Sequence, residues 1–230
     1  MLRPTNLYRK VYDHLKEEIR QGGLPADGAV FETQVAERLG VSRTPVREAM
    51  RMLEHEGLLE QLPGGGFRAH TITPRDIQDA SNARASLESL TVRLACERIQ
   101  PAQVEAIEAC LRATERAIQS GLLGDVMTEN ERFHGLIASA TGSRLLELLV
   151  ERVYDYMKAH RLLQALSVRG DISAVLPEIL KQHRDIFEAI RARDSQLAVR
   201  LMDQHLKEVG QRYEASLSLL ESSGTGLTNA

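Results

Sequence analysis

The sequence predicts a mainly α-helical chain, with an N-terminal winged helix-turn-helix followed by an all-α bundle of about six helices. Three observations carry this. Beyond Thr73 the apolar residues recur at helical spacing and show no strand-like alternation. Within the first 72 residues, two short helical stretches meet at Gly40-Val41-Ser42, and two strand-like stretches flank Pro63-Gly64-Gly65-Gly66. Aromatic residues are only 4% of the chain, tryptophan is absent and 27% of residues are charged, a mix that favours helices.

The first helix is expected over residues 8–20, with Tyr8, Val11, Tyr12, Leu15 and Ile19 on one face. Gln21-Gly22-Gly23 should end it, and Leu24 to Gly28 should turn. Phe31 to Leu39 reads as a short helix with Val35, Ala36 and Leu39 inward. A second short helix runs from about Arg43 to Glu56, with Val46, Ala49, Met50 and Leu53 inward, and Gly57 stops it. Leu58 to Gln61 and Phe67 to Thr71 then form two strands joined by the glycine turn. Thr73 can cap a helix whose first residue is Pro74. Later breaks fall at Gln100-Pro101, Gly121 to Gly124, Thr141-Gly142, Arg169-Gly170 and Arg193-Asp194. The expected division is residues 1–72, residues 73–220 and a disordered polar tail over 221–230.

Hydrophobic residues make up 43% of the chain, enough for a packed core in 230 residues. The net charge of −3 excludes a broadly basic coat. Residues 1–72 carry 10 basic and 10 acidic side chains, so any nucleic-acid contact must come from a local cluster. Cys96 and Cys110 form neither a disulfide framework nor a metal-type pair, and read as small buried thiols in a reducing compartment. The N-terminal stretch has no apolar signal core, and no window approaches a membrane span, so a cytoplasmic protein with no membrane partner is expected.

A winged helix-turn-helix inserts its second helix into the DNA major groove. Here that helix opens with Ser42, Arg43 and Thr44, and Arg43, Arg47 and Arg51 recur every four residues on one side. Arginine reads guanine bidentately and also grips phosphate. Ser42 and Thr44 can bond phosphate beside the unpaired N–H groups of the helix start. Gly65, within the wing turn, carries no side chain to keep the backbone out of the minor groove. The plain alternative is that these arginines merely solvate a helix face.

The second half carries three histidines where leucines would be expected. His134 lies on the stripe Val126, Met127, Asn130, Phe133, Ile137; His183 lies on Leu176, Ile179, Leu180, Ile186, Phe187, Ile190; His205 lies on Leu197, Leu201, Met202, Leu206, Val209. Three inward imidazoles on three helices point to a common divalent ion, with zinc favoured among zinc, nickel, iron and manganese. Asn130 is four residues before His134, so both reach one point, and its amide is a weak fourth donor. None of these ligands is anionic, which invites a small carboxylate to complete the coordination and the charge. Arg84 also interrupts an apolar stripe, through Ile77, Ala80, Leu87, Thr91, Leu94 and Ala95. A buried arginine needs a partner, either Glu88 one turn on or the carboxylate of a ligand. Arg152 and Tyr154 are further candidates for lining the site. The plain alternative for the histidines is a hydrogen-bonded set with no metal.

Residues 8–71 resemble the DNA-binding domain of the GntR family of bacterial transcription regulators. The resemblance rests on Val35-Ala36, the run from Leu39 to Met50 (LGVSRTPVREAM), Leu53, Glu56-Gly57-Leu58 and Gly66. The chain departs from the family at Asp27-Gly28, where Pro-Gly is usual. Thr33 stands where some members carry a basic residue, so no DNA contact is expected from it, and the wing lacks a histidine that some members use, so it should contribute less. Residues 74–220 resemble the helical FCD effector domain of one branch of that family, through Asn130 to His134, then His183 and His205, and through the Arg-x-x-Leu-Glu pattern from Arg84 to Glu88. About six helices would place it in the shorter, VanR-like group. Where family members carry Asp, this chain has Asn130. The resemblance implies a dimeric, ligand-responsive regulator of operator DNA, expected to repress, and not an enzyme.

Two rivals have different requirements. A metal-dependent enzyme using the three histidines would need a general acid or base, and the inward faces offer only Glu88. A constitutive DNA binder would not carry the desolvation cost of Arg84 and three buried imidazoles.

Overall fold

A computed structural model describes residues 7–20, 24, 28–70, 73–159 and 172–222. Nine helices and a two-stranded sheet lie among the described residues. Two compact units divide at Thr73 and Pro74: one is built on the residues up to Thr73, the other on Pro74–Asp155 and Leu163–Ser216. The expected helix end at Gln21 to Gly23, residues 25–27 of the expected turn from Leu24 to Gly28, the end of the second strand at Thr71 and the break at Arg169-Gly170 lie outside the described residues. So does the expected tail, except that Glu221 and Ser222 close the last helix rather than fraying from it.

In the first unit, α1 (Leu7–Arg20) and α3 (Arg43–His55) pack together, with α2 (Glu32–Leu39) against α3. Val11 and Leu15 of α1 join Val35, Ala36, Val46, Ala49, Met50 and Leu53 in one core. Tyr12 extends that contact with polar groups: its hydroxyl donates to the Glu56 carboxylate at 2.7–2.8 Å, and Lys16 donates to Tyr12 at 2.7 Å and to Glu56 at 3.0 Å. Gly40 sits in the left-handed region at φ 63° and turns the chain between α2 and α3. Phe31, expected as the first residue of the short helix, is its extended N-cap instead, and its N–H is taken by the Gln34 side chain at 3.2 Å.

Strands β1 (Leu59–Gln61) and β2 (Phe67–Ala69) pair antiparallel, Leu59 opposite Ala69 and Gln61 opposite Phe67. The sequence did not foretell a third contributor. Val30 bridges Phe67, exchanging hydrogen bonds of 2.6 and 2.9 Å. That bridge explains Gly66. A Cβ there would lie 3.1 Å from the Phe31 ring and 3.2 Å from the Val30 carbonyl, at φ 82°. Packing therefore requires Gly66, whereas Gly65, at φ 86°, has open space around it.

The second unit is built on α4 (Pro74–Arg98), α5 (Pro101–Gln119), α6 (Leu123–Ala140), α7 (Arg144–Ala159) up to Asp155, α8 (Ile172–Arg191) and α9 (Ser195–Ser222) up to Ser216. Its core is aliphatic with two phenylalanines, Phe133 and Phe187, and holds both cysteines as buried free thiols. Burial pushes the Cys110 thiol up to about 12, which suits an inert packing role. Gly124, expected as part of a break, lies in the first turn of α6. A glycine costs little there, because the first turn's N–H groups have no intrahelical partner in any case.

The turn between α8 and α9 is made by two residues with special roles. Arg193 holds φ 58°, the one non-glycine residue in that region among those described. Its guanidinium donates to the carbonyls of Cys96, Glu97 and Ile99 at 3.0, 2.7 and 3.1 Å, satisfying the C-terminal end of α4. Asp194 then caps α9, its Oδ1 accepting the N–H of Leu197 at 3.0 Å. The tight turn makes α8 and α9 antiparallel neighbours, which brings residues at matching distances from it to the same height.

Candidate metal centre and nucleic-acid interface

His134 on α6, His183 on α8 and His205 on α9 converge, each about 1% exposed. One ring nitrogen from each lies within 4.8 Å of the other two. His183 Nε2 and His205 Nε2 are 3.2 Å apart. Two imidazole nitrogens on one tetrahedral zinc, at Zn–N about 2.0–2.1 Å, stand about 3.3 Å apart, so this spacing fits shared coordination. Phe133 stacks on His183 with ring centroids 4.2 Å apart and planes 16° from parallel, fixing that ring's orientation.

The outer nitrogens differ. His205 Nδ1 lies 2.8 Å from Gln182 Oε1, whereas His183 Nδ1 is buried with no hydrogen-bond partner among the described residues. His134 Nδ1 abuts the Glu88 carboxylate as an ion-pair contact, without the alignment of a ring N–H hydrogen bond. Burial lowers the pKa of all three rings; Glu88 opposes this at His134 without reversing it. Burial thus favours the neutral form of the rings, most strongly at His183 and His205, the form that ligates a metal.

Beside them lies a buried charged group. Arg84 Nε donates to Glu88 Oε1 at 2.6 Å, and its Nη2 lies 3.2 Å from His134 Nε2 and against the Tyr154 hydroxyl. Tyr154 in turn donates to Glu88 Oε1 at 3.2 Å. Burial raises the Glu88 carboxyl, but His134 and Arg84 outweigh it and hold Glu88 well below the usual carboxylate range. An ionised Glu88 thus balances Arg84, and the histidine cluster itself carries no compensating negative charge.

The four predicted residues His134, His183, His205 and Arg84 thus come together, with Glu88 against both Arg84 and His134. Asn130 is half-buried one turn before His134, and its amide makes no hydrogen bond to the three rings. Tyr154 faces the cluster, but Arg152 is exposed and sits 3.8 Å from Asp155. Sequence reading missed Gln182, which is half-buried and off the apolar stripe; only its contact with His205 on another helix marks it.

In the first unit, Ser42 is the extended N-cap of α3 and its hydroxyl makes no capping bond. Ser42, Arg43, Thr44, Arg47 and Arg51 are all exposed. Arg43, Arg51 and Gly66 line one groove between α3 and the wing. The arginines are braced by a residue that sequence reading passed over: Glu32, at the start of α2, accepts from Arg47 Nε at 3.1–3.2 Å and lies 3.7 Å from Arg43. It is 15 residues from Arg47 and shares no helix with it, so no local spacing rule reveals the pair.

Comparisons with known proteins identify both domains. Residues 7–68 match the family described as bacterial regulatory proteins, gntR family, and residues 79–208 match the FCD domain. The chain is 34% identical over 197 residues to an uncharacterized HTH-type transcriptional regulator, YdhC, of Bacillus subtilis (strain 168), covering 85% of this chain and 86% of that protein. It is 28% identical to the HTH-type transcriptional repressor RspR of Escherichia coli (strain K12), covering 91% and 90%. The solved structure of E. coli McbR/YncC superposes with a TM-score of 0.66 at 23% identity, covering 94% of this chain and 98% of that one, which shows a shared fold.

Proposed function

The chain belongs to the GntR family of bacterial regulatory proteins and carries an FCD domain, so it is a DNA-binding transcriptional regulator and not an enzyme, and from that premise we propose that it senses a small organic acid through a metal-containing helical domain. FCD domains can bind metal, and this one has the donor set for it in His134, His183 and His205. The observation that carries the reading is the convergence of three buried imidazoles, with two Nε2 atoms at the spacing of a tetrahedral edge. Zinc suits an all-imidazole set best, with nickel, iron and manganese as rivals. Asn130 is a weak or water-bridged further ligand. When bound, the ion supplies a Lewis-acid point for a carboxylate oxygen.

The protein's own residues do the rest. Gln182 orients the His205 ring, and the stack on Phe133 orients His183. Arg84, with Glu88 and Tyr154 fixing its plane, presents a cationic edge next to His134, suited to the second oxygen of a carboxylate of a few carbons. Residues 1–72 bind operator DNA, and residues 73–220 bind the effector and dimerise. Two copies place two α3 helices on an inverted repeat, with Arg43, Arg47 and Arg51 toward bases and phosphates, Ser42 and Thr44 at phosphate, and Gly65 at the minor groove. The acid changes operator affinity only through its different affinity for the two arrangements of the dimer. Repression released by the acid, in the cytoplasm, is the expected biology. No described helix is long and apolar enough to cross a membrane.

Elemental analysis of purified protein, followed by titration of small carboxylic acids against labelled operator, tests this. The expected outcome is one divalent ion per chain and a 5–150-fold change in operator affinity with a cognate acid, the common range of coupling. Absence of metal before and after addition of divalent ions would overturn the metal reading.

A further inference from the structure

We propose that Gln182 and Glu208 form a relay that selects the tautomer of His205 and thereby sets the metal affinity of the three-histidine cluster. The inference rests on reading that cluster as a metal centre. The relay runs inward from the surface of the α8–α9 hairpin. Glu208 Oε2 accepts from Gln182 Nε2 at 2.6 Å, and Glu208 Oε1 accepts from Gln204 Nε2 at 2.9 Å. Gln182 Oε1 then faces His205 Nδ1 at 2.8 Å.

Each link has a direction. An ionised carboxylate can only accept, so Gln182 must turn its NH2 to Glu208. Its carbonyl oxygen is thereby committed to the ring. That oxygen can also only accept, so the proton of His205 must sit on Nδ1. A neutral imidazole has one N–H, so Nε2 keeps its lone pair. That lone pair points at His183 Nε2, 3.2 Å away, where a shared ion would sit. Without the Glu208 anchor, the Gln182 amide could turn over and offer an N–H to Nδ1. The proton would then move to Nε2 and block the ligating atom.

Helix geometry makes the relay easy to build. Gln182 and His183 are adjacent on α8, so they point about 100° apart. His183 enters the core, and Gln182 reaches across to the partner ring. His205 and Glu208 are three apart on α9 and Gln204 and Glu208 four apart, so these pairs lie on neighbouring faces. His183 has no such support among the described residues, since its Nδ1 is buried without a partner. His205 is thus the ring held ready, and its outer partner has the role that such hydrogen bonds play at metal sites generally, where their loss costs about 10–100-fold in affinity.

The test uses full-length protein and two variants. In Q182L both ends of the relay are lost; in E208Q the shape is kept, but Gln182 is freed to turn over. Zinc affinity is measured by competition with a chelator of known strength, and the His205 tautomer by 15N NMR of the ring in metal-free protein. Wild type should show the proton on Nδ1. Q182L should bind zinc 10–100-fold more weakly, and E208Q should fall between, with a mixed ring tautomer in both. Thermal melts of the metal-free variants guard against loss of fold. Unchanged zinc affinity in both variants, or a wild-type ring protonated on Nε2, overturns the relay. If wild type takes up no zinc, the metal reading fails, and the NMR arm still decides whether Gln182 selects the tautomer.

Discussion

Arg84 shows how far a single residue could be read in advance. Its place on an apolar stripe and the acid one turn later are visible locally, because i and i+4 share a helix face. Tyr154 is 70 residues away, and its part in the group appears only when α7 folds over α4. Arg84 and Glu88 are about 5% and 2% exposed, so Arg84→Ala strands a buried carboxylate. It should destabilise by about 3–5 kcal/mol, a loss that R84M/E88L recovers in large part. Denaturant melts of the two variants check this, and operator titrations for effector response belong in the double variant. Equal stability of R84A and wild type would show that Glu88 is not dependent on Arg84. The histidines give a pH dependence of known sign. His183 and His205 are pushed well below 6.5 by burial, so below that pH the unfolded chain binds protons that the folded chain refuses. Stability of metal-free protein is therefore full above about pH 6.5 and falls below it, by at most about 1.4 kcal/mol per pH unit for each ring. Urea melts at pH 7.5 and 5.5 should show the loss, and His183→Leu should reduce it.

The helices themselves were the easiest feature to read, since periodicity and breakers are local. The three histidine stripes mark the inward faces of α6, α8 and α9, except that Leu197, at the start of the α9 stripe, is exposed. The turn joining α8 and α9 was located at Arg193-Asp194, but nothing local told that Arg193 would clamp the end of α4, nearly 100 residues away. The same distance effect hid the Val30 bridge to the wing and Glu32 beneath the arginines. Arg193→Ala should lose three charge-assisted hydrogen bonds and keep the strained φ, at a cost of about 1–3 kcal/mol. Arg193→Gly loses the same bonds but relaxes the backbone, so it should cost less despite the smaller residue. Urea midpoints of the two variants order them; an alanine variant as stable as the glycine one would show that the left-handed backbone carries no strain.

For the molecule as a whole, composition said little about DNA: a net charge of −3 hides a basic helix face whose arginines are partly neutralised by Glu32. Operator recognition by two copies predicts two chains per inverted repeat, countable by sedimentation of the complex. Arg47→Ala should weaken operator binding by about 1–3 kcal/mol and narrow the gap between operator and random DNA at equal salt. An unchanged gap would remove Arg47 from base reading. The burial of the three rings also bears on time. With each about 1% exposed, an ion can enter or leave only when the packed helices part. Exchange is then paced by local opening, however tight or weak the binding. On the proposed function the acid binds at the same buried point, so its exchange too waits on opening of the bundle. A chelator should strip the ion slowly at any excess, and quickly once mild denaturant loosens the bundle.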